Sequence, residues 1–415
     1  LEINKFYQGD ALDVLRNFPD NTFHCCVTSP PYYGLRSYLP DDHPMKQLEL
    51  GNESTPEAYV SRLVDIFREV RRVLRPEGLL FLNIGDSYAG SWGNSGRRPE
   101  LDGIPSHQRE KNTEYFYRGG WDDRRERPPT SYKLPGLKPK DLIGIPWMVA
   151  FALRNDGWWL RGDIVWAKKN PLPESVRDRP TRSHEFIFLL SKSARYYYDA
   201  EAVKEPVANP GRSSGNKTRK VASEGERSRT NTHLGSSIPY RDTTGMRNRR
   251  DVWSISVKSF KGAHFAVFPE DLVEPCILAG TSEHGVCPAC GKPWERELAK
   301  AREEHGLADT SFPKTKDLDD QHGHKRLSRR IIAARKAGED HDNPLGGYKT
   351  MGWRSTCQCN ITDTIPALVL DPFSGAGTTA LVANRLGRNF VGIDLSESYC
   401  QIAGERISKV EGASL

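Results

Sequence analysis

Two short apolar runs in this 415-residue chain break into loops whose residues can do chemistry. Near the C-terminus the loop reads Asp371-Pro372-Phe373-Ser374-Gly375-Ala376-Gly377-Thr378-Thr379. Small residues after a strand let the backbone come close to a ligand. Open α/β sheets bind ligands beyond the carboxyl ends of their strands. Gly375 and Gly377 meet that need, while Pro372 and Phe373 stiffen the turn and supply an apolar wall. Asp371 is placed to hold an ammonium group. Asp394 closes the next apolar run and is placed to accept hydrogen bonds from both hydroxyls of a ribose. No Lys follows the glycines, which argues against a phosphate loop, and the spacing is not the G-x-G-x-x-G of a nicotinamide site. The pattern suits a nucleoside cofactor such as S-adenosylmethionine.

Near the N-terminus the second loop reads Thr28-Ser29-Pro30-Pro31-Tyr32. An amine on an aromatic ring is a poor nucleophile, because its lone pair is delocalised. Accepting hydrogen bonds from both amine hydrogens draws the nitrogen toward tetrahedral geometry. Ser29 Oγ and the Pro30 carbonyl are the candidate acceptors. Two consecutive prolines carry no competing N–H and fix the carbonyl angle. Tyr32 can stack on the ring, worth about 1–3 kcal/mol per base. In-line placement of a sulfonium methyl then supplies most of the catalysis. Read together, the two loops point to methyl transfer onto a base amine.

The elements around these loops alternate. Lys5 to Gln8, Phe23 to Val27, Leu79 to Ile84, Ala367 to Leu370 and Phe390 to Ile393 read as strands. Ala11 to Phe18, Pro56 to Leu74, Asp141 to Asn155 and Thr378 to Leu386 read as helices, with a last helix after Ser396. Arg75-Pro76-Glu77-Gly78 reads as a helix stop, and Trp158 to Trp166 and His184 to Leu190 as further strands. This alternation predicts an α/β, doubly wound, mostly parallel sheet in which the two chain ends meet. Residues 88–135, 205–250 and 281–360 lack the periodicity and read as insertions on one scaffold.

The net charge is +6, and residues 204–250 hold 11 Lys or Arg against 4 Asp or Glu, a net +7. That concentration suggests a polyanionic partner. No apolar run is long enough to cross a bilayer and none resembles a signal peptide, so a cytoplasmic protein is expected. The chain opens on Leu1, which reads as a trimmed start. Cys25, Cys26, Cys276 and Cys400 sit among apolar neighbours and read as buried thiols. Cys287-Pro-Ala-Cys290-Gly-Lys and Cys357-Gln-Cys359 have the look of a zinc knuckle completed by a second pair, with His284 as a substitute ligand. Four thiolates leave no open position, so such a zinc is structural.

The chain resembles the amino-group DNA methyltransferases of the N4-cytosine/N6-adenine family with permuted motif order. The resemblance rests on ordered segments spanning nearly the whole chain: Gln8-Gly9-Asp10, Thr28-Ser29-Pro30-Pro31-Tyr32, and Leu79-Leu80-Phe81-Leu82-Asn83-Ile84-Gly85-Asp86. It continues through Ile164-Val165-Trp166-Ala167-Lys168-Lys169-Asn170-Pro171, His184-Glu185, Asp251-Val252-Trp253 and His264-Phe265-Ala266-Val267-Phe268-Pro269. It ends with the Asp371 loop and Gly392-Ile393-Asp394.

The resemblance implies a Rossmann-like S-adenosylmethionine-dependent methyltransferase sheet with inserted target-recognition and zinc-ribbon-like segments. It implies double-stranded DNA as substrate, with the target base flipped out. Ser29, Pro30, Pro31 and Tyr32 become the catalytic motif. Asp10, Phe373, Gly375 and Asp394 surround the cofactor, with Asp10 near its adenine. His264, Phe265 and Pro269 border its methionine end, and Thr28, Asp371, Ser374, Gly377 and Thr378 complete the set. Ser before Pro-Pro is commoner among cytosine enzymes of the family and Asp among adenine enzymes, so N4 of cytosine is favoured over N6 of adenine. The 205–250 segment falls where the family places target recognition, with Arg241, Arg247, Arg249 and Arg250 as candidate DNA contacts. A cognate restriction endonuclease is a possible partner, and the oligomeric state is left open.

Three other readings stand beside this one. The same scaffold could act on RNA or a protein amide, or the chain could be a non-catalytic zinc-containing DNA-binding module. A carbon-5 cytosine enzyme would need a Pro-Cys thiolate. Pro275-Cys276 offers one, but in the apolar stretch Leu272 to Leu278, where a buried thiol is the usual outcome.

Overall fold

The computed structural model describes residues 1–34, 39, 42–89, 136–206, 246–257, 268–300 and 348–412. His264, Phe265 and Arg241 lie outside the described residues. The chain divides into two compact units, one of Leu1–Ala202, Arg250–Trp294 and Ser355–Leu415, the other of Val203–Arg249 and Glu295–Arg354.

The larger unit is built on one eight-stranded sheet. Its strands are β1 (Lys5–Gln8), β2 (Phe23–Thr28), β3 (Leu74–Ile84), β4 (Trp159–Lys168), β5 (His184–Ser191), β8 (Val252–Ile255), β11 (Leu368–Asp371) and β12 (Asn389–Asp394). Their spatial order is β1-β12-β11-β2-β3-β5-β4-β8. Among these strands β5 alone runs against the rest: it pairs antiparallel with β3 and β4, and every other neighbouring pair is parallel. The expected doubly wound sheet is therefore present, with both chain ends in it. β1 follows β12 in register Lys5↔Val391 to Gln8↔Asp394.

The central strands are apolar on both faces, as a parallel sheet covered by helices requires. Cys26, Leu80, Leu370 and Ile393 join one buried core with helices α1 (Ala11–Arg16), α2 (Pro56–Val73) and α3 (Ile145–Asn155). Cys25 points the other way, against Gly280 of α4 (Glu270–Gly280). Helix α4 packs on α5 (Thr378–Arg385), which meets α6 (Glu397–Gly412). Alternation along β2 thus serves two helical layers. Thr55 caps α2 by accepting from the Ala58 N–H at 3.1 Å, and Pro56 fits the first turn.

Two boundaries differ from the sequence reading by more than two residues. Strand β3 begins at Leu74, directly after α2, and runs through Arg75-Pro76-Glu77-Gly78. Its register on β2 jumps from Phe23↔Leu74 to Cys25↔Leu79, so the extra residues bulge out where Pro76 has no N–H to give. Helix α3 begins at Ile145, not Asp141, because Gly144 turns into the left-handed region at φ +84°. The cap comes from 58 residues away in sequence: Asp86, beyond the end of β3, accepts from the Gly144 N–H at 2.9 Å and the Ile145 N–H at 3.0 Å.

In the smaller unit β6 (Glu205–Pro206) pairs antiparallel with β7 (Met246–Arg247). A second two-stranded sheet joins β9 (Trp294–Lys300) and β10 (Tyr348–Ser355), most of whose residues belong to this unit. No described helix is long and apolar enough to cross a membrane.

Removing the remote cap should cost about 0.5–2 kcal/mol. Asp86→Ala is expected to lower the unfolding free energy by that amount, seen as a lower denaturant midpoint with the slope unchanged.

Candidate active site

Strands β2 and β11 lie side by side and point the same way, in register Val369↔Cys25 and Leu370↔Cys26. The two loops singled out in the sequence therefore leave the sheet at the same edge. A hydrogen bond joins them: Thr28 Oγ1 donates to Asp371 Oδ1 at 2.6 Å, in the core. The Phe373 N–H also donates to that oxygen, at 3.1 Å. Among the described residues, Asp371 Oδ2 is buried with no hydrogen-bond partner. Burial pushes the Asp371 carboxyl up to about 6, against the Thr28 hydroxyl, which lowers it.

The neighbouring loop follows the same logic. The Asp394 carboxylate accepts from the Gly375 N–H and the Ser396 N–H, both at 2.8 Å. Burial pushes this carboxyl up to about 6 as well. The Gly9 N–H donates to the Asp394 carbonyl at 2.9 Å, which brings Asp10 to the same edge. Asp10 caps α1, accepting from Leu12 at 2.9 Å and Asp13 at 3.2 Å. Gly377 opens α5 with φ +75°, and a Cβ there would lie 2.7 Å from that of Ala403. Ser374 Oγ is buried without a partner among the described residues. Thr378 Oγ1 accepts from Arg406 at 3.4 Å, and the Phe373 ring meets Phe67 edge-on with centroids 6.3 Å apart. Pro269 is buried, directly before α4. A carboxylate oxygen and a hydroxyl without partners, beside a loop whose Gly375 has open space where a Cβ would stand, fit a cationic ligand rich in hydroxyl groups.

Ser29 follows Thr28, and its surroundings bring in residues that the sequence reading quoted only as motif segments. Asn83 Nδ2 donates to Glu185 Oε2 at 3.2 Å and to the Phe186 carbonyl at 3.1 Å. Both amide hydrogens are thus engaged, and Oδ1 must face Ser29 and Tyr32. Tyr32 OH lies 2.6 Å from Glu185 Oε2 and 3.1 Å from Asn83 Oδ1, and its proton goes to the nearer, charged acceptor. That leaves Asn83 Oδ1, at 3.3 Å, and the Tyr32 oxygen, at 3.4 Å, to accept the Ser29 proton. The Ser29 oxygen then presents lone pairs, not hydrogen. Lys168 forms an ion pair with Glu185. Burial, then the Glu185 charge, hold the Tyr32 phenol well above its usual range, so it stays neutral.

The turn itself is braced. Tyr59 OH donates to the Pro31 carbonyl at 2.8 Å. The Pro30 carbonyl accepts no recorded hydrogen bond among the described residues. The Tyr32 ring lies so close over Gly85 that a Cβ there would stand 2.6 Å from it. Asn83 and Glu185 lie 102 positions apart in sequence, and the one local signal was a polar Asn inside the apolar run Leu79–Ile84.

Other candidates resolve differently. Cys276 is buried in α4 with its thiol donating to the Leu272 carbonyl at 3.3 Å. Of the basic candidates, Arg247 pairs with Glu205 at 2.8 Å within the smaller unit. Arg249 is half-buried and Arg250 exposed, with the Arg250 carbonyl accepting from Trp253 Nε1 at 2.7 Å. The four cysteines Cys287, Cys290, Cys357 and Cys359 meet, with all Sγ atoms within 4.8 Å of one another. His284 is not among them: its ring packs on Trp294, centroids 4.9 Å apart.

The sheet and its two loops place the chain in the class of doubly wound α/β proteins whose loops leave the carboxyl ends of neighbouring parallel strands, where such sheets bind their ligands. The family model described as DNA methylase, of N6 and N4 type, matches residues 23–287 and 363–405. The chain is 44% identical to the Type II methyltransferase M.Cfr9I of Citrobacter freundii, over 98% of this chain and 89% of that one. It is 35% identical to the Type II methyltransferase M.SmaI of Serratia marcescens, over 97% and 90%. Among solved structures, the cytosine-N4-specific PvuII DNA methyltransferase aligns with 98% of this chain and 90% of its own, at 15% identity and a TM-score of 0.47. The chain belongs to the N4-cytosine/N6-adenine family of amino-group DNA methyltransferases.

The raised Asp371 carboxyl has a stability consequence of definite sign. Its folded value of about 6 exceeds the ordinary 3.8, so the folded state binds more protons between those values. Stability from this group therefore falls as pH rises from about 4 to about 6 and is level above, by at most ~3 kcal/mol. Subtracting the unfolding free energy of Asp371→Asn from that of wild type should give a difference that declines over that window. A flat difference would mean the carboxyl titrates normally.

Proposed function

We propose that this chain transfers the methyl group of S-adenosylmethionine to N4 of a cytosine flipped out of double-stranded DNA. The observation that carries the reading is the Thr28–Asp371 hydrogen bond, which sets Ser29 beside the cofactor loop. When bound, S-adenosylmethionine supplies an electrophilic methyl on a sulfonium. The chain's residues hold it: Asp371 Oδ2 takes the ammonium, Asp394 the ribose hydroxyls, Phe373 and Gly375 border the nucleoside, and Asp10 lies toward the adenine. Ser374, Gly377 and Thr378 shape the loop, and Pro269 is assigned to the methionine end together with His264 and Phe265, which lie outside the described residues.

Ser29 Oγ and the Pro30 carbonyl accept the two hydrogens of the target amine. Asn83 and Glu185 act through Ser29 by keeping its own proton turned away. Tyr32 lies along the base, its ring fixed over Gly85 and its hydroxyl tied to Glu185. The choice of cytosine rests on the neutral Ser29 at the position where adenine enzymes of the family more often carry Asp. Arg241, Arg247, Arg249 and Arg250 are assigned to DNA, with Arg247 exchanging Glu205 for a phosphate or base edge. The Type II relatives support a place beside a cognate restriction endonuclease.

Incubating the protein with duplex DNA and labelled cofactor, then digesting to nucleosides for mass spectrometry, should yield N4-methylcytosine. N6-methyladenine as the product would overturn the base assignment, and label on RNA or protein but not duplex DNA would overturn the substrate. Ser29→Ala should lower kcat by roughly 10²-fold, the scale seen when one transition-state hydrogen bond is lost. Calorimetry should show cofactor affinity within about twofold of wild type. Glu185→Gln should lower kcat in the wild-type background and have little further effect beside Ser29→Ala, because the two act as one unit.

A further inference from the structure

The four-cysteine cluster is not part of the reactive edge, and its attachments run toward the opposite ends of the same strands. The Cys287 turn is closed by two backbone bonds, Cys287 N–H to the Lys292 carbonyl at 2.9 Å and Gly291 N–H to the Cys287 carbonyl at 2.7 Å. Gly291 takes φ +66°, as the turn needs. The second pair approaches from 66 residues further on. Thr356 Oγ1 donates to the Pro293 carbonyl at 2.6 Å, and Ser355 Oγ accepts from the Cys357 N–H at 3.2 Å. Val286 bridges to both Pro293 and Ile365. Two chain segments are thus held so that four sulfurs face one centre. No disulfide joins them.

The knuckle turns its carbonyls onto the sheet. Arg75, in the bulge of β3, donates to the Cys290 carbonyl. His24, the second residue of β2, meets the Gly291 carbonyl through Nε2 at 3.0 Å. Its Nδ1 accepts the N–H of Leu368, the first residue of β11, at 3.0 Å. With one ring nitrogen accepting, the other carries the proton, so His24 bridges knuckle, β2 and β11 at once.

We propose that Cys287, Cys290, Cys357 and Cys359 bind one Zn²⁺ as four thiolates, and that this closed site is the footing on which the entry ends of β2, β3 and β11 are fixed. Zn–S bonds of ~2.3 Å place tetrahedral sulfurs about 3.8 Å apart, so the cluster needs only a small contraction. Four S–H bonds break, four Zn–S bonds form and four protons pass to buffer. The site carries a net double negative charge, and the Arg75 guanidinium lies against it. With no open position the ion has no role in methyl transfer. It acts on the strands whose far ends carry Ser29 and Asp371.

Elemental analysis of the full chain, purified without chelator, should give about one zinc per protein. Cobalt substitution should give thiolate charge-transfer absorption with tetrahedral d–d bands. Protein that holds neither ion after refolding with excess metal overturns the site, as does stoichiometric iron in place of zinc. Cys357→Ser should lose most of the metal, and retention of a full equivalent would overturn the ligand set. If that variant fails to fold, the wild-type stoichiometry and cobalt spectrum decide. For the footing, hydrogen exchange of metal-stripped wild type should accelerate at least tenfold at Phe23–Cys25 and Leu368, with β12 much less affected. Unchanged exchange there would confine the ion to the knuckle. None of these readouts uses methyl transfer, so they stand or fall apart from the assigned reaction.

Discussion

One hydrogen bond, from the Thr28 hydroxyl to the Asp371 carboxylate, fixes the geometry on which the site depends. It spans 343 positions of sequence across a single strand-to-strand step. The step exists because the cofactor-side strands β11, β12 and β1 come from both ends of the chain. β1 must dock on β12, and β2 on β11, before either loop has a fixed position. Such contacts carry a large loop-closure cost during folding, so the reactive edge is among the non-local parts of the fold. What the arrangement gains is a rigid base: both loops leave neighbouring parallel strands, and no hinge lies between them.

The second constraint is a small polar network in an otherwise apolar region. Asn83 is 3% exposed, in a strand whose neighbours are all apolar. A buried amide in that place is costly unless every donor is used. Glu185 and the Phe186 carbonyl, both on the one antiparallel strand, use them. The reversal of β5 therefore has a chemical as well as a topological effect. It brings a carboxylate and its lysine to the edge where Ser29 and Tyr32 emerge, and so decides which way the serine proton points.

Much of this was legible in the residues. The strands that end in Asp371 and Thr28 are marked by apolar runs followed by Pro, and the one that ends in Asp394 by an apolar run followed by Ser396 at a helix start; those signals are local. The helix starts at Thr55-Pro56 and the turn after β12 are local too. The bulge at Arg75 to Gly78 was read as a helix stop because Pro and Gly interrupt either element. Only pairing with β2 shows that the strand had already begun at Leu74. The true start of α3 depends on Asp86, and the Ser29 network on Glu185. Both partners arrive through the folded sheet, so no spacing in the sequence could announce them. The cysteine pairs showed a possible ligand set, but not that their backbone turns toward His24 and Arg75.

Asp371 shows why such a site is poorly optimised for stability. A carboxyl 1% exposed, with one oxygen unpartnered, is a position that a merely structural loop would fill with a neutral residue. Burial works against its charge, and the Thr28 and Phe373 donors offset only part of that cost. A cationic group arriving at Oδ2 meets a carboxylate already desolvated and fixed in direction, where its attraction is stronger than in water. The same burial that weakens the empty loop thus favours a positively charged ligand over its neutral counterpart.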